Sequence, residues 1–313
     1  MIDRRRLLAH GASCAAWLST LALAPIGVRR AFAARPQGRV VAETDFARIE
    51  RIADGVWAIV STPLRNGGRH FTTTANGGIV AGRDGVVLIE AFYSADGAAW
   101  AIEQCRQLTG RTPDRIAVTH YHADHSLGLE TMAGAGPGRT LLTPTTRALL
   151  DPEQSMPTLQ PLDENGPTTL DLGGRIVRLH PRGGHTASDV TIELEEPTVV
   201  WCGDLVWNGM FPNFVDAAPS ALLDHCRRIL GRPKTHYVPG HGDTGDAAAL
   251  APYLGLLDDL AAAAERAHEA GLSPAEAATQ YRLPESLQAW VRFSDDYFER
   301  AFRAWERERD GNG

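Results

Sequence analysis

The chain has 313 residues, 43% of them hydrophobic and 22% charged, with a formal net charge of −7. That length and apolar share can bury a substantial core and exclude a disordered polymer. The acidic balance argues against nucleic acid or an anionic membrane as the partner.

The first segment in chain order is expected to be removed. Asp3-Arg4-Arg5-Arg6-Leu7-Leu8 sets a cationic cluster before an uncharged apolar stretch at 12–28, and Ala31-Phe32-Ala33 supplies a signal-peptidase pattern. Consecutive arginines followed by leucines resemble a twin-arginine export signal, so residues 1–33 are read as a signal peptide and the mature protein as periplasmic. Ser19, Thr20 and Pro25 interrupt the apolar run, which speaks against a membrane span that outlasts cleavage. Cleavage removes five Arg and one Asp and takes the net charge from −7 to −11. Cys105, Cys202 and Cys226 remain, too irregular for a disulfide framework, and are expected as buried thiols.

Short apolar stretches then alternate with helical ones, the pattern of a layered α/β fold. Strands are expected at 56–60, 78–81 and 86–89, the last two joined by the turn Arg83-Asp84-Gly85. A helix follows at 98–108 and a strand at 116–119. Residues 152–167, rich in Pro, Asn and acidic groups, read as a surface loop. Strands are expected at 175–179, 190–194, 198–202 and 235–238, with a helix at 221–230. From 247 onward the pattern is helical, broken at Gly271, Pro274 and Pro284. Trp290, Phe293, Tyr297, Phe298, Phe302 and Trp305 recur at helical spacing, which reads as core or an oligomer contact.

The chemistry concentrates in Thr119-His120-Tyr121-His122-Ala123-Asp124-His125, directly after a buried strand. In extended backbone His120 and His122 project to one side and can hold one ion, while Asp124 and His125, where the chain turns into a helix, can face a second. Ligands this dense are costly to fold without a cation to satisfy them. Three more candidates follow apolar strands: His185 in Gly183-Gly184-His185-Thr186, Asp204 in Trp201-Cys202-Gly203-Asp204, and His241 in Gly240-His241-Gly242. By the same alternation Tyr121 should point away from the ions and pack. Asn208 reads as a turn residue or as a donor to substrate from its loop, His180 and His236 as core or as supports behind a ligand, and His225 and His268 as solvated helix positions.

The motif His-x-His-x-Asp-His at 120–125, followed by Gly-His-Thr, Gly-Asp and Gly-His-Gly at 184–186, 203–204 and 240–242, resembles the metallo-β-lactamase fold superfamily. The resemblance spans roughly residues 50–245. It implies an αββα four-layer sandwich at 34–245, with extra C-terminal helices at 246–313 packed on it. It also implies that His120, His122 and His185 bind one metal, that Asp124, His125 and His241 bind the other, and that Asp204 bridges them. Two departures stand out. Zinc β-lactamases carry Cys or Ser where this chain has Asp204, which resembles the glyoxalase II and lactonase branches instead. The strand before the motif usually ends in Asp, and here it ends in Glu90.

The expected function is therefore that of an exported metallohydrolase with two Zn²⁺, Fe or Mn being admitted by the same nitrogen and oxygen donors. A hydroxide shared by cations about 3.5–4 Å apart would attack an ester, lactone, thioester or amide-like bond of a small molecule. Asp124 would orient that hydroxide and carry its proton. The alternatives are a periplasmic β-lactamase and an iron-dependent oxidoreductase resembling persulfide dioxygenases. A non-catalytic binding protein would have little reason to keep seven costly polar side chains.

Overall fold

The computed structural model describes residues 38–63, 72–135 and 138–311, so the expected signal peptide at 1–33 lies outside the described residues. Two sheets form the centre. The first runs in chain order through β1 (Arg39–Glu43), β2 (Ala47–Ala53), β3 (Val56–Ser61), β4 (Gly77–Ala81), β5 (Val86–Ile89), β6 (Arg115–Ala117), β7 (Arg139–Leu142) and β8 (Thr158–Pro161). The second is ordered β13 (His236–His241), β12 (Val199–Trp207), β11 (Val190–Leu194), β10 (Ile176–Pro181) and β9 (Thr168–Asp171).

Period-two alternation decides what each strand face meets. Val56, Ala58 and Val60 of β3 and Val87 and Ile89 of β5 point inward, into a core shared with Val177, Leu179, Val190, Ile192, Val199 and Trp201 of the second sheet. Their neighbours Trp57, Ile59, Val86 and Leu88 face outward, where α1 (Ala95–Thr109) covers them with Ala98, Ala101 and Cys105. Helix α1 starts earlier than its apolar spacing suggests, because Ser94 caps it by accepting from the Gly97 N–H at 3.1 Å. The outer face of the second sheet, with Val200, Cys202 and Tyr237, is covered by α5 (Pro219–Leu230), α6 (Ala247–Glu269), α7 (Pro274–Gln280) and α8 (Tyr297–Arg309). The layers are helix, sheet, sheet, helix, as expected. Between α1 and α5 lie three short helices: α2 (Ala123–Ser126), α3 (Leu129–Ala133) and α4 (Pro144–Leu149).

Helix α6 is long and apolar enough to cross a membrane by length and composition, but its Leu250, Tyr253, Leu256, Leu257 and Leu260 are core residues here. The aromatic series Phe293, Tyr297, Phe298 and Phe302 is buried in the same core, with Trp290 and Trp305 packed against it. Cys105, Cys202 and Cys226 are buried free thiols.

Two expectations fail. The surface loop at 152–167 contains β8, which pairs in parallel with β7 from Arg139↔Thr158 to Leu142↔Pro161. Its side chains are mostly exposed, so backbone pairing holds it without any apolar signal. The strand expected through residue 119 ends at Ala117, and the next residues leave the ladder to shape the site.

Candidate metal centre

His120 and His122 follow β6, Asp124 and His125 ride on the single turn α2, His185 follows β10, Asp204 lies within β12 and His241 ends β13. All seven residues are buried, none more than 6% exposed. They form two groups. His120, His122, His185 and Asp204 each offer a ligand atom, all within 4.8 Å of one another, and so do Asp124, His125 and His241. Asp204 stands between the groups: its Oδ2 is 3.4 Å from His185 Nε2 and 3.9 Å from His120 Nε2, while its Oδ1 is 3.1 Å from His125 Nε2 and 3.3 Å from His241 Nε2.

Local backbone choices make this convergence possible. The register of β12 against β13 shifts between Trp201 and Gly203, and Gly203 takes φ 53°, so the strand turns Asp204 into the site. Gly240 lies so close that a Cβ there would meet Asp204 Oδ1 at 1.9 Å. Below His185, the Asp189 carboxylate accepts from Thr186 N at 2.7 Å and Thr186 Oγ1 at 2.8 Å; burial pushes its pKa up to about 7. His225, expected to be solvated, instead donates Nδ1–H to Gly183 O at 2.9 Å and ties α5 to the same loop.

Hydrogen bonds fix the ring tautomers. Thr119 has one hydroxyl proton and gives it to Glu90 Oε1 at 2.6 Å. His120 Nδ1, 3.0 Å from the same hydroxyl, is then the donor, and its Nε2 keeps a lone pair facing inward. His125 Nδ1 lies 3.0 Å from Glu90 Oε1, which turns its Nε2 inward. The extra methylene of Glu90 therefore does reach a candidate ligand. His120 Nε2, His125 Nε2 and Asp204 Oδ1 have no hydrogen-bond partner among the described residues, although all are buried. Buried ring nitrogens and a carboxylate oxygen gathered at such short range are a donor set that fits a cation.

The electrostatics of the ion-free protein agree. Burial pushes His120 well below the usual imidazole range, helped by His125 and His122, and pushes His185 down to about 3. Burial also opposes charge on His241 and His125. The carboxylates overcome it, so that Asp204 and Asp124 carry His241 to about 9, and Asp204, Glu90 and Asp124 hold His125 well above its ordinary value. Protons on these two rings stand where cations would.

Several residues that sequence reasoning passed over hold the site in shape. Asn76 Nδ2 donates to Pro239 O at 2.8 Å and Gly242 O at 2.7 Å, clasping the His241 turn from both sides. Asn208, read as a turn residue, donates its backbone N–H to His241 O and its side chain to Asp243 O, both at 2.9 Å. Buried Arg48 bonds Glu50 at 2.7 Å and Asp243 at 3.0 Å, linking β2 to the same turn. Tyr121 packs partly against the core between the first sheet and α1, as expected, and its hydroxyl also donates to Asp216 Oδ2 at 2.7 Å, an oxygen that is 3.0 Å from His122 Nε2. His236 and His180 are half-buried on strands, His180 facing Glu193 at 3.7 Å, and His268 is exposed.

Known proteins resemble the chain in sequence and in fold. The chain is 31% identical over 201 residues to a hydroxyacylglutathione hydrolase of Acidiphilium cryptum (strain JF-5), covering 64% of this chain and 79% of that protein. It is 23% identical over 223 residues to a metallo-beta-lactamase type 2 of Bacillus cereus, covering 69% and 84%. A metallo-beta-lactamase structure from Erythrobacter litoralis superposes with TM-score 0.59 at 21% identity, over 71% of this chain and 100% of that one, which speaks to fold alone. The family model described as the metallo-beta-lactamase superfamily matches residues 72–261, more than half of the sequence, and the chain belongs to that superfamily.

Proposed function

We propose that this protein is an exported hydrolase that works with two divalent cations, Zn²⁺ foremost, on an ester, lactone, thioester or amide-like bond of a small molecule. The position of Asp204 carries this reading: one carboxylate presents an oxygen to each of two buried ligand groups. His120, His122 and His185 would hold one ion and Asp124, His125 and His241 the other, with Asp204 shared. Bound there, the cations supply a water of lowered pKa, near roughly 7, and an electrophile for the carbonyl oxygen.

The chain's own residues do the rest. Asp124 lies 3.3 Å from His241 Nε2. Burial would raise its pKa, but His125 and His241 outweigh that and keep it charged. It orients the attacking water, takes its proton and returns it to the departing oxygen, sulfur or nitrogen. Glu90 and Thr119, by engaging Nδ1 of His120 and His125, would leave Nε2 of each ring to the cations.

The name of the Acidiphilium relative supports hydrolysis of a thioester, and the Bacillus relative keeps a β-lactam amide in view. A carboxylate at Asp204, in place of the thiol or hydroxyl of zinc β-lactamases, favours the former. The twin-arginine pattern at Arg4-Arg5-Arg6 and the apolar run after it support export.

The test is metal quantification on the purified protein, together with turnover of thioester, lactone, phosphoester and nitrocefin substrates. Two equivalents of metal with hydrolysis of one class is the expected result. Iron with oxygen uptake and no hydrolysis would overturn it in favour of an oxidoreductase. N-terminal sequencing of protein from the periplasmic fraction checks export, with a start after Ala33 expected.

A further inference from the structure

We propose that Asp216 is a positioning residue of the metal centre, and that helix α8 sets its place. The inference rests on the two-cation reading and assigns a role to a carboxylate outside the ligand motif. Asp216 Oδ2 takes two contacts from one stretch of chain, Tyr121 Oη at 2.7 Å and His122 Nε2 at 3.0 Å. The other ring nitrogen, His122 Nδ1, lies 3.0 Å from His185 Nε2, inside the first ligand group. The ring is therefore oriented, with Nε2–H held by a carboxylate and the Nδ1 lone pair turned to the cluster. A carboxylate behind an imidazole fixes its tautomer and raises its basicity as a ligand. At 17% exposure the Asp216 side chain is only partly screened by water.

Asp216 has no helix or strand to place it, since it lies in the connection between β12 and α5. The C-terminal residues supply the support. Phe211 N donates to Val291 O at 2.8 Å, and the Phe211 ring meets Phe298 with centroids 5.0 Å apart. Arg300 Nη1 donates to Asn213 Oδ1 at 3.2 Å. Arg307 Nη2 donates to Val215 O at 3.1 Å and Ala217 O at 3.5 Å, gripping the carbonyls on either side of Asp216. The segment beyond the strands thus reaches the metal centre through one carboxylate.

The experiment titrates full-length protein with Zn²⁺ against a chromophoric chelator and records the visible spectrum after loading with Co²⁺. Asp216→Asn keeps the side-chain shape and removes its charge. It should weaken one of the two equivalents by roughly 10- to 100-fold, leave the other in place and alter the Co²⁺ bands. Arg307→Met should shift the same equivalent in the same direction by less, and Tyr121→Phe, which leaves the carboxylate on His122, should shift it less still. Asp216→Asn that binds both equivalents with unchanged affinity and spectrum overturns the proposal. So does a loss spread equally over both ions that follows a fall in melting temperature of the metal-free protein, since that marks a structural role. Unchanged affinity in Arg307→Met refutes the part assigned to α8. Unsubstituted protein that takes up no cation would sink the two-cation reading itself, a result distinct from these.

Discussion

The convergence at Asp204 depends on a missing methyl group. A Cβ at Gly240 would lie 1.9 Å from Asp204 Oδ1, 2.8 Å from Gly203 C and 2.9 Å from Asp204 N. The backbone has little room to yield, because Gly240 O accepts from Asn76 N at 2.8 Å and the strand is buried. The carboxylate must give way together with the Gly203–Asp204 backbone, and moving Oδ1 from 1.9 Å to an ordinary contact of 3.4 Å is a retreat of about 1.5 Å. Functional constellations tolerate about 0.5 Å, and a misplacement of about 1 Å can cost on the order of 100-fold in rate. Gly240→Ala is therefore expected to lower turnover by roughly 100-fold or more and to leave fewer than two tightly bound metal equivalents. Overpacking of this kind costs about 1–3 kcal/mol of stability, which leaves a folded protein to assay. Metal content by mass spectrometry, turnover on the responsive substrate and circular dichroism read the three effects separately. Gly255→Ala on α6 is the control: its Cβ would meet nothing within 4 Å, so metal content and rate should stay put and stability rise by about 0.5–1 kcal/mol. A Gly240→Ala protein with two equivalents of metal and near-normal turnover would refute the reasoning.

The raised pKa values of His241, to about 9, and of His125 mean that metal must displace protons. Adding Zn²⁺ at pH 7 in weak buffer should release protons, and affinity should climb from pH 6 to 9; a flat profile would count against the assignment. With folded values above the unfolded value of 6.5, these rings stabilise the metal-free fold fully below that pH and lose the contribution as pH rises through about 9. Thermal melts of chelator-treated protein check that direction. Glu90→Gln removes the carboxylate behind His125 Nδ1 and should weaken metal binding by roughly 10- to 100-fold in a chelator competition. Arg48→Met removes the cation from the fully buried Glu50 carboxylate, leaving it the Gly38 N–H and the Thr244 hydroxyl, and should cost about 3–5 kcal/mol in urea unfolding of the metal-free protein, against an expectation near zero if the pair is dispensable.

The strands that faced two apolar layers were legible because their side chains alternate between two cores. Residues 56–60, 86–89 and 199–202 are of this kind. Strands β1, β7, β8 and β9 were missed. Of these, β1 and β8 are short, with mostly exposed or intermediate side chains, and pair along their backbones. Strand β2 hid for a different reason. Its buried stretch carries Arg48 and Glu50, so ion pairing stands where an apolar signal was sought.

Ligand identity and ligand orientation are written at different ranges in this chain. Six residues suffice to spell His120, His122, Asp124 and His125, and glycines beside His185, Asp204 and His241 mark where backbone must approach closely. What aims those rings comes from far away: Asp216 is 94 residues from His122, Asn76 is 163 from Pro239, and Arg48 is 195 from Asp243. No local pattern encodes such pairs. Tyr121 shows the gap. Alternation assigned it to packing, and it does pack beside the outer core of the first sheet. Its hydroxyl also meets the carboxylate that holds His122, so a packing residue shares a contact with a ligand. A dense ligand motif therefore predicts which residues gather, while the distant groups that aim them are set by the fold.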